Sequence, residues 1–207
     1  MLLHDVSIAP NPRRVRIFLA EKGIEVPMRQ VDMMAGENRS PEFLAKNPSG
    51  QIPVLELDDG TCISESVAIC RYFEATHPEP ALFGATPTEI GLIEMRNRVV
   101  ELGLLATAVG VAWVNGPIVA KMAPGRFQQI PEAKTQAEAR ARSFYKRLNR
   151  ELEQSEWIAK PGFSIADITT LCTLEFAATR VDLMPDESLT ALHNWWQRMK
   201  ERSSYGA

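Results

Sequence analysis

Hydrophobic and polar positions divide the chain into two unlike parts. In the first, Leu3, Val6 and Ile8 give residues 2–8 the look of a strand, and Ala9-Pro10-Asn11-Pro12 breaks it. Val15, Phe18 and Leu19 then share one helical face, with Arg13, Arg14, Arg16 and Glu21 elsewhere, which predicts a helix over 15–22. Asn11 before Pro12 reads as its cap and Gly23 as its stop. A weaker strand covers 25–32, and Ser40-Pro41 opens a short helix over 42–46. The apolar runs 53–57 and 61–63 flank Asp58-Asp59-Gly60, a hairpin signal. Val67, Ile69, Cys70 and Phe73 make 65–75 helical. Strand, helix and strand favour a parallel pair with a crossover, and the hairpin adds an antiparallel pair. The expectation is a small α/β domain with a mixed four-stranded sheet.

Pro78, Pro80, Gly84 and Pro87 mark a linker, so the expected division is 1–77, a linker 78–87, and 88–207. The last part reads as helical throughout: 88 to about 115, then 132–154, 164–178 and 188–201. Gly103 and Gly110 are unusual inside a helix, where each costs about 1 kcal/mol relative to Ala. Close helix packing or room for a ligand explains them. Ser164 and Asp167 fit a capping box, with Phe163 and Ile168 at staple positions, so this segment is a folding device.

Composition narrows the function. The chain has 207 residues, 45% of them hydrophobic and 24% charged, enough for a sizeable core. Lys plus Arg number 23 against 26 Asp plus Glu, which argues against a nucleic-acid-coating protein. No apolar run approaches the ~20 residues of a membrane span. Cys62, Cys70 and Cys172 form no Cys-x-x-Cys pair and suit a reducing compartment. Residues 1–16 lack a signal-peptide profile, so the cytoplasm is expected. His4, His77 and His193 stand far apart, and no metal is expected.

Candidate chemistry lies at loop ends of the α/β domain. Pro53 at a strand start removes a ladder donor and often marks a cis bond; Ile52 before it then presents main-chain groups to an extended peptide. A structural turn is the plain alternative. Ser64-Glu65-Ser66 opens a helix, where main-chain amides and the Ser66 hydroxyl suit a carboxylate and Glu65 suits an ammonium group. An ordinary cap is the alternative there. At Ala9-Pro10-Asn11-Pro12 the helix terminus and the Asn11 side chain suit a thiolate, or Asn11 is simply a cap.

Together these features resemble a known family. The runs Asn47-Pro48-Ser49-Gly50-Gln51-Ile52-Pro53-Val54-Leu55 and Ile63-Ser64-Glu65-Ser66-Val67-Ala68-Ile69 resemble the glutathione-binding signature of cytosolic glutathione transferases. Phe163-Ser164-Ile165-Ala166-Asp167 resembles the helical-domain signature of that family. Arg14-Val15-Arg16-Ile17 and residues 41–47 and 54–61 are most similar to an atypical fungal-type group and its bacterial relatives. The resemblance implies an α/β thioredoxin-like N-terminal domain, an all-α C-terminal domain and a homodimer. It implies glutathione as co-substrate, with Glu65 and Ser66 at its γ-glutamyl end and Ile52, before a cis Pro53, at its cysteinyl backbone. Gln51 and Asn38 fall where the family places groups for the glycine carboxylate. The usual Tyr, Ser or Cys at the thiol is absent; Ala9 stands at the matching position, and Asn11 matches an Asn of nu-like relatives. Ser7 is the alternative thiol partner. The fungal group resembles an arrangement in which Ser and His hold an activating water, but the matching residues here are Val109 and Trp113. Leu105, Val109 and Trp113, with Pro10 opposite, are the expected electrophile wall, or else a buried helix stripe.

Three functions follow as expectations. The first is conjugation of glutathione to small apolar electrophiles, a detoxifying transferase without nucleic-acid or membrane partners. The second is a glutathione-dependent disulfide or peroxide reductase. The third is a non-catalytic glutathione-binding module.

Overall fold

The structure is a computed structural model, and it describes residues 1–122, 125–160 and 162–207. The chain forms two compact units, Met1–Leu82 together with Ser203–Ala207, and Phe83–Arg202. The division falls inside the expected linker, but the expected helical part 88–207 is corrected at its end. Residues 203–207 return to the first unit because Arg13 Nη2 donates to the Tyr205 carbonyl at 3.1 Å and its guanidinium lies over the Tyr205 ring.

In the first unit, β1 (Leu2–Asp5), β2 (Met28–Gln30), β3 (Val54–Glu56) and β4 (Cys62–Ser64) make one sheet in the order β2-β1-β3-β4. The β1–β2 pair is parallel and the other two pairs are antiparallel, as expected. The crossover is α1 (Pro10–Glu21), and α2 (Pro41–Lys46) and α3 (Ser66–Thr76) complete the unit. Register puts Leu3, Leu55 and Ile63 on one face of the sheet. Val6 and Val54 cluster with Val31 and with Phe43 of α2.

Two boundaries differ from expectation for physical reasons. β1 ends at Asp5 rather than at residue 8, because Val6 already starts a turn closed by Ala9 N–H to the Val6 carbonyl at 3.3 Å. α1 starts at Pro10, so its cap is Ala9, which makes no side-chain cap bond. Asn11 is therefore the second helical residue and not the cap.

The helical unit contains α4 (Pro87–Val114), α5 (Pro117–Met122), α6 (Pro131–Leu152), α7 (Ile165–Phe176) and α8 (Thr190–Lys200). Contrary to the sequence reading, α4 is long and apolar enough by composition to cross a membrane. Its Leu104, Ala108, Val109 and Ala112 are buried, the pattern of a core helix. Residues Glu101–Val109 of α4 are wound as a π-helix, and Thr107 Oγ1 donates to the Leu102 and Gly103 carbonyls. Gly103 is explained by close packing against another helix, and Gly110 by the π-winding of α4 itself. A Cβ on Gly103 would lie 2.9 Å from the Phe144 ring, and one on Gly110 would lie 2.9 Å from the Leu105 carbonyl oxygen. At the start of α7 the expected capping box is present, with Ser164 and Asp167 bonded reciprocally.

Candidate functional site

Strand register brings four loops to one end of the sheet. Asp5 pairs with Gln30, His4 with Val54, and Val54 with Ser64. The exits of β1, β2 and β4 and the approach to β3 therefore share an edge. The β1–α1 turn, Ile52-Pro53 and Glu65-Ser66 all lie there.

The α1 terminus is sparser in donors than the sequence suggests. Its first three residues are Pro10, Asn11 and Pro12, and a proline has no N–H. Asn11 is thus the one residue of the three that brings a main-chain donor. Asn11 Oδ1 is buried and, among the described residues, has no hydrogen-bond partner. A buried polar atom of this kind calls for an explanation, and a ligand group supplies one. Ser7 lies in the exposed turn, four residues before Asn11.

The Ile52–Pro53 peptide is cis, and β3 begins only at Val54, so Ile52 stands beyond the ladder. Gln51 is exposed; its carbonyl accepts from Asn47 Nδ2 at 2.7 Å, and its main-chain N–H donates to Ser49 Oγ. Asn38 is buried, and its Nδ2 donates to the Gly50 carbonyl at 2.8 Å. Gly50 has φ +64°, and a Cβ there would lie 2.8 Å from Arg39 Nη1 and from the Asn38 carbonyl oxygen. Asn38 thus supports the loop before Gln51.

At the third loop, Glu65 has φ 68° and ψ 114°, a conformation that is strained for a residue with a side chain. Its side chain is exposed, with no cap hydrogen bond. Ser66 opens α3 and is buried, and its Oγ accepts from Arg14 Nη1 at 2.7 Å. The guanidinium has no acceptor, so the bond's direction is fixed and the Ser66 hydroxyl hydrogen remains for another acceptor. Arg14 is 1% exposed. Sequence reasoning assigned it no role, because 52 residues separate the partners and an arginine on α1 reads as a solvated face.

The chain is similar to known proteins over nearly its whole length. The glutathione S-transferase N-terminal domain family matches residues 8–76, and the C-terminal domain family matches 115–203. The chain is a member of the glutathione S-transferase family. It is 39% identical to glutathione S-transferase 2 of Saccharomyces cerevisiae, over 99% of this chain and 87% of the relative. The crystal structure of Gtt2 from Saccharomyces cerevisiae matches with a TM-score of 0.91 at 39% identity, covering 100% of this chain and 99% of that one. The disulfide-bond oxidoreductase YfcG of Escherichia coli strain K12 is 29% identical, over 98% of this chain and 92% of the relative. The family uses glutathione as substrate, and conjugation is its general function.

Other candidates in this transferase fall out as follows. Pro10 is half-buried at the start of α1. In the helical unit Leu105 and Trp113 are half-buried, and the Trp113 ring meets Phe176 edge to face. Val109 is fully buried, so it belongs to the core stripe and not to an exposed wall. None of the three cysteines forms a disulfide; burial pushes the Cys62 thiol up in pKa, away from reactivity. Among the described residues no group of three His, Cys, Asp or Glu could hold a metal ion.

Proposed function

We propose that this transferase activates the glutathione thiol through Asn11, and that the thiolate then attacks a small apolar electrophile. The observation that carries the reading is the α1 terminus, where Asn11 alone of the first three residues has a main-chain N–H, and its side-chain Nδ2 is the one amide donor beside it. A hydrogen bond to a charged group is worth about 1.5–3 kcal/mol, or roughly one to two pKa units. From a free thiol near ~8.5, that gives substantial thiolate at neutral pH. The thiol proton leaves to solvent, sulfur bonds to the electrophilic carbon, and the leaving group takes the electron pair.

The other loops hold the rest of glutathione. Ser66 and the α3 terminus take the α-carboxylate, with the buried Arg14 charge beneath. Glu65 takes the ammonium group, Ile52 pairs with the cysteinyl backbone, and Gln51 serves the glycine end. Pro10 is the proposed electrophile contact of the first unit. Ser7 is the reserve thiol partner.

We place the protein in the cytoplasm, as a detoxifying homodimer. The disulfide-free cysteines support a reducing compartment. A groove of about 600 Å³ in the helical unit, lined in part by the exposed Leu92 and Met95 of α4, supports contact with a second copy. A second reading, a glutathione-dependent disulfide reductase, is favoured by the full-length likeness to YfcG.

Turnover of an aromatic halide against a small disulfide, at equal glutathione, tests the choice. Faster halide turnover supports conjugation. Faster disulfide turnover moves the second reading forward. No turnover of either, with glutathione bound, leaves a binding module.

A further inference from the structure

The β1–α1 turn carries the proposed thiol-activating end of α1. Its ends, Val6 and Ala9, pack on the core cluster, but Ser7 and Ile8 are exposed and Ala9 lacks a side-chain cap bond. Ser7 is held by a closed ring of side chains. Ser7 N–H donates to Gln30 Oε1 at 3.0 Å, and Arg16 Nη2 donates to the Ser7 carbonyl at 3.1 Å. Both partners then converge on Asp5, one oxygen each. Arg16 Nη1 donates to Asp5 Oδ1 at 2.6 Å, and Gln30 Nε2 donates to Asp5 Oδ2. The Asp5 side chain is 1% exposed and that of Arg16 is 13% exposed.

Three elements thus grip one residue of the turn. Asp5 ends β1, Gln30 ends β2, and Arg16 stands inside α1. Charge is balanced within the ring, since the Asp5 carboxylate is paired with Arg16. The other cations of this stretch of α1 are engaged elsewhere: Arg14 with Ser66, and Arg13 with Tyr205.

We propose that Asp5, Arg16 and Gln30 are positioning residues for thiol activation: by clamping both main-chain groups of Ser7 they fix where α1 begins, and so where Asn11 meets sulfur. This rests on the reading of Asn11 above. Hydrogen-bond stabilisation of a thiolate depends on donors already aimed at it, and small misplacements of such a site carry large losses in rate. The fork of Arg16 makes both bonds at once, a geometry that a single ammonium does not match.

The test uses the full chain with Gln30→Leu and Arg16→Lys. Gln30 is exposed, so its variant removes two ring bonds without opening the core. The pH profile of kcat at saturating glutathione and the KM for glutathione are measured, together with hydrogen exchange of the Ser7 amide. The expected result is an acid limb moved upward by roughly one unit, about a tenfold loss of kcat near pH 6.5, an unchanged alkaline plateau and KM, and faster Ser7 exchange. A general loss of folding lowers the plateau without moving the limb. Faster Ser7 exchange with an unmoved limb overturns the proposal while leaving Asn11 activation standing. Unchanged Ser7 exchange overturns the ring itself. A wild-type limb already at the free-thiol value overturns the Asn11 reading, and this proposal with it.

Discussion

Glu65, of the proposed glutathione site, carries strain in its own backbone. At φ 68° and ψ 114° it sits where glycine is at home and other residues store about 1–3 kcal/mol. Glu65→Gly relieves that strain, offset by the extra chain entropy of glycine, for an expected net gain of roughly 1 kcal/mol in denaturant unfolding. The same substitution removes the proposed ammonium partner, and glutathione affinity by calorimetry is expected to fall at least about tenfold. Stability rising while affinity falls separates a binding role from a structural one. Ser66→Ala moves both quantities down. It leaves Arg14 Nη1 without this acceptor inside the protein, a loss of about 1–3 kcal/mol, and removes a carboxylate donor. The family signature that contains Ile52, Glu65 and Ser66 was legible in the sequence because its residue types and spacing are local. The Arg14–Ser66 bond was not, since it joins two helices through tertiary packing that periodicity does not encode. An amide side chain such as that of Asn38 serves a loop carbonyl as readily as a ligand, and its residue type does not choose between them.

Helix termini and helix contacts set the geometry of the helical unit. The start of α7 depends on Asp167, which accepts from the Ile158 and Ser164 amides, the Ser164 hydroxyl and Trp195 Nε1 at 2.9–3.3 Å. Full burial nevertheless outweighs these donors and pushes its pKa up to about 6. A pKa raised on folding means that the native chain takes up the proton first. The Asp167 contribution to stability is therefore complete below about pH 4 and is lost as pH rises through 6, by about 3 kcal/mol. Urea unfolding from pH 4.5 to 7.5 should show this slope in wild type relative to Asp167→Asn, which carries no titrating group there. Gly103→Ala should destabilise by about 1–3 kcal/mol, because the new Cβ meets the Phe144 ring at 2.9 Å. The capping box was visible in the sequence, being local. The π-wound stretch of α4 was not; only its glycines hinted at it, and they admitted two explanations.

Across the whole molecule, the order of strands and helices was readable because hydrophobic period changes from two to 3.6 at clear punctuation. The return of residues 203–207 to the first unit was not, since it depends on Arg13 meeting Tyr205 192 positions away. The site itself is a product of register. Loops far apart in sequence meet because the ends of β1, β2 and β4 and the start of β3 share one edge. The central claim is that this edge delivers Asn11 to the glutathione sulfur. The most direct measurement is the ultraviolet thiolate absorbance of bound glutathione against pH, in wild type and in Asn11→Ala. The bound thiol is expected one to two units below the free value of ~8.5 in wild type, with a rise of about one unit or more in the variant. A wild-type thiol that titrates at the free value, or a depressed one that Asn11→Ala leaves unmoved, contradicts it.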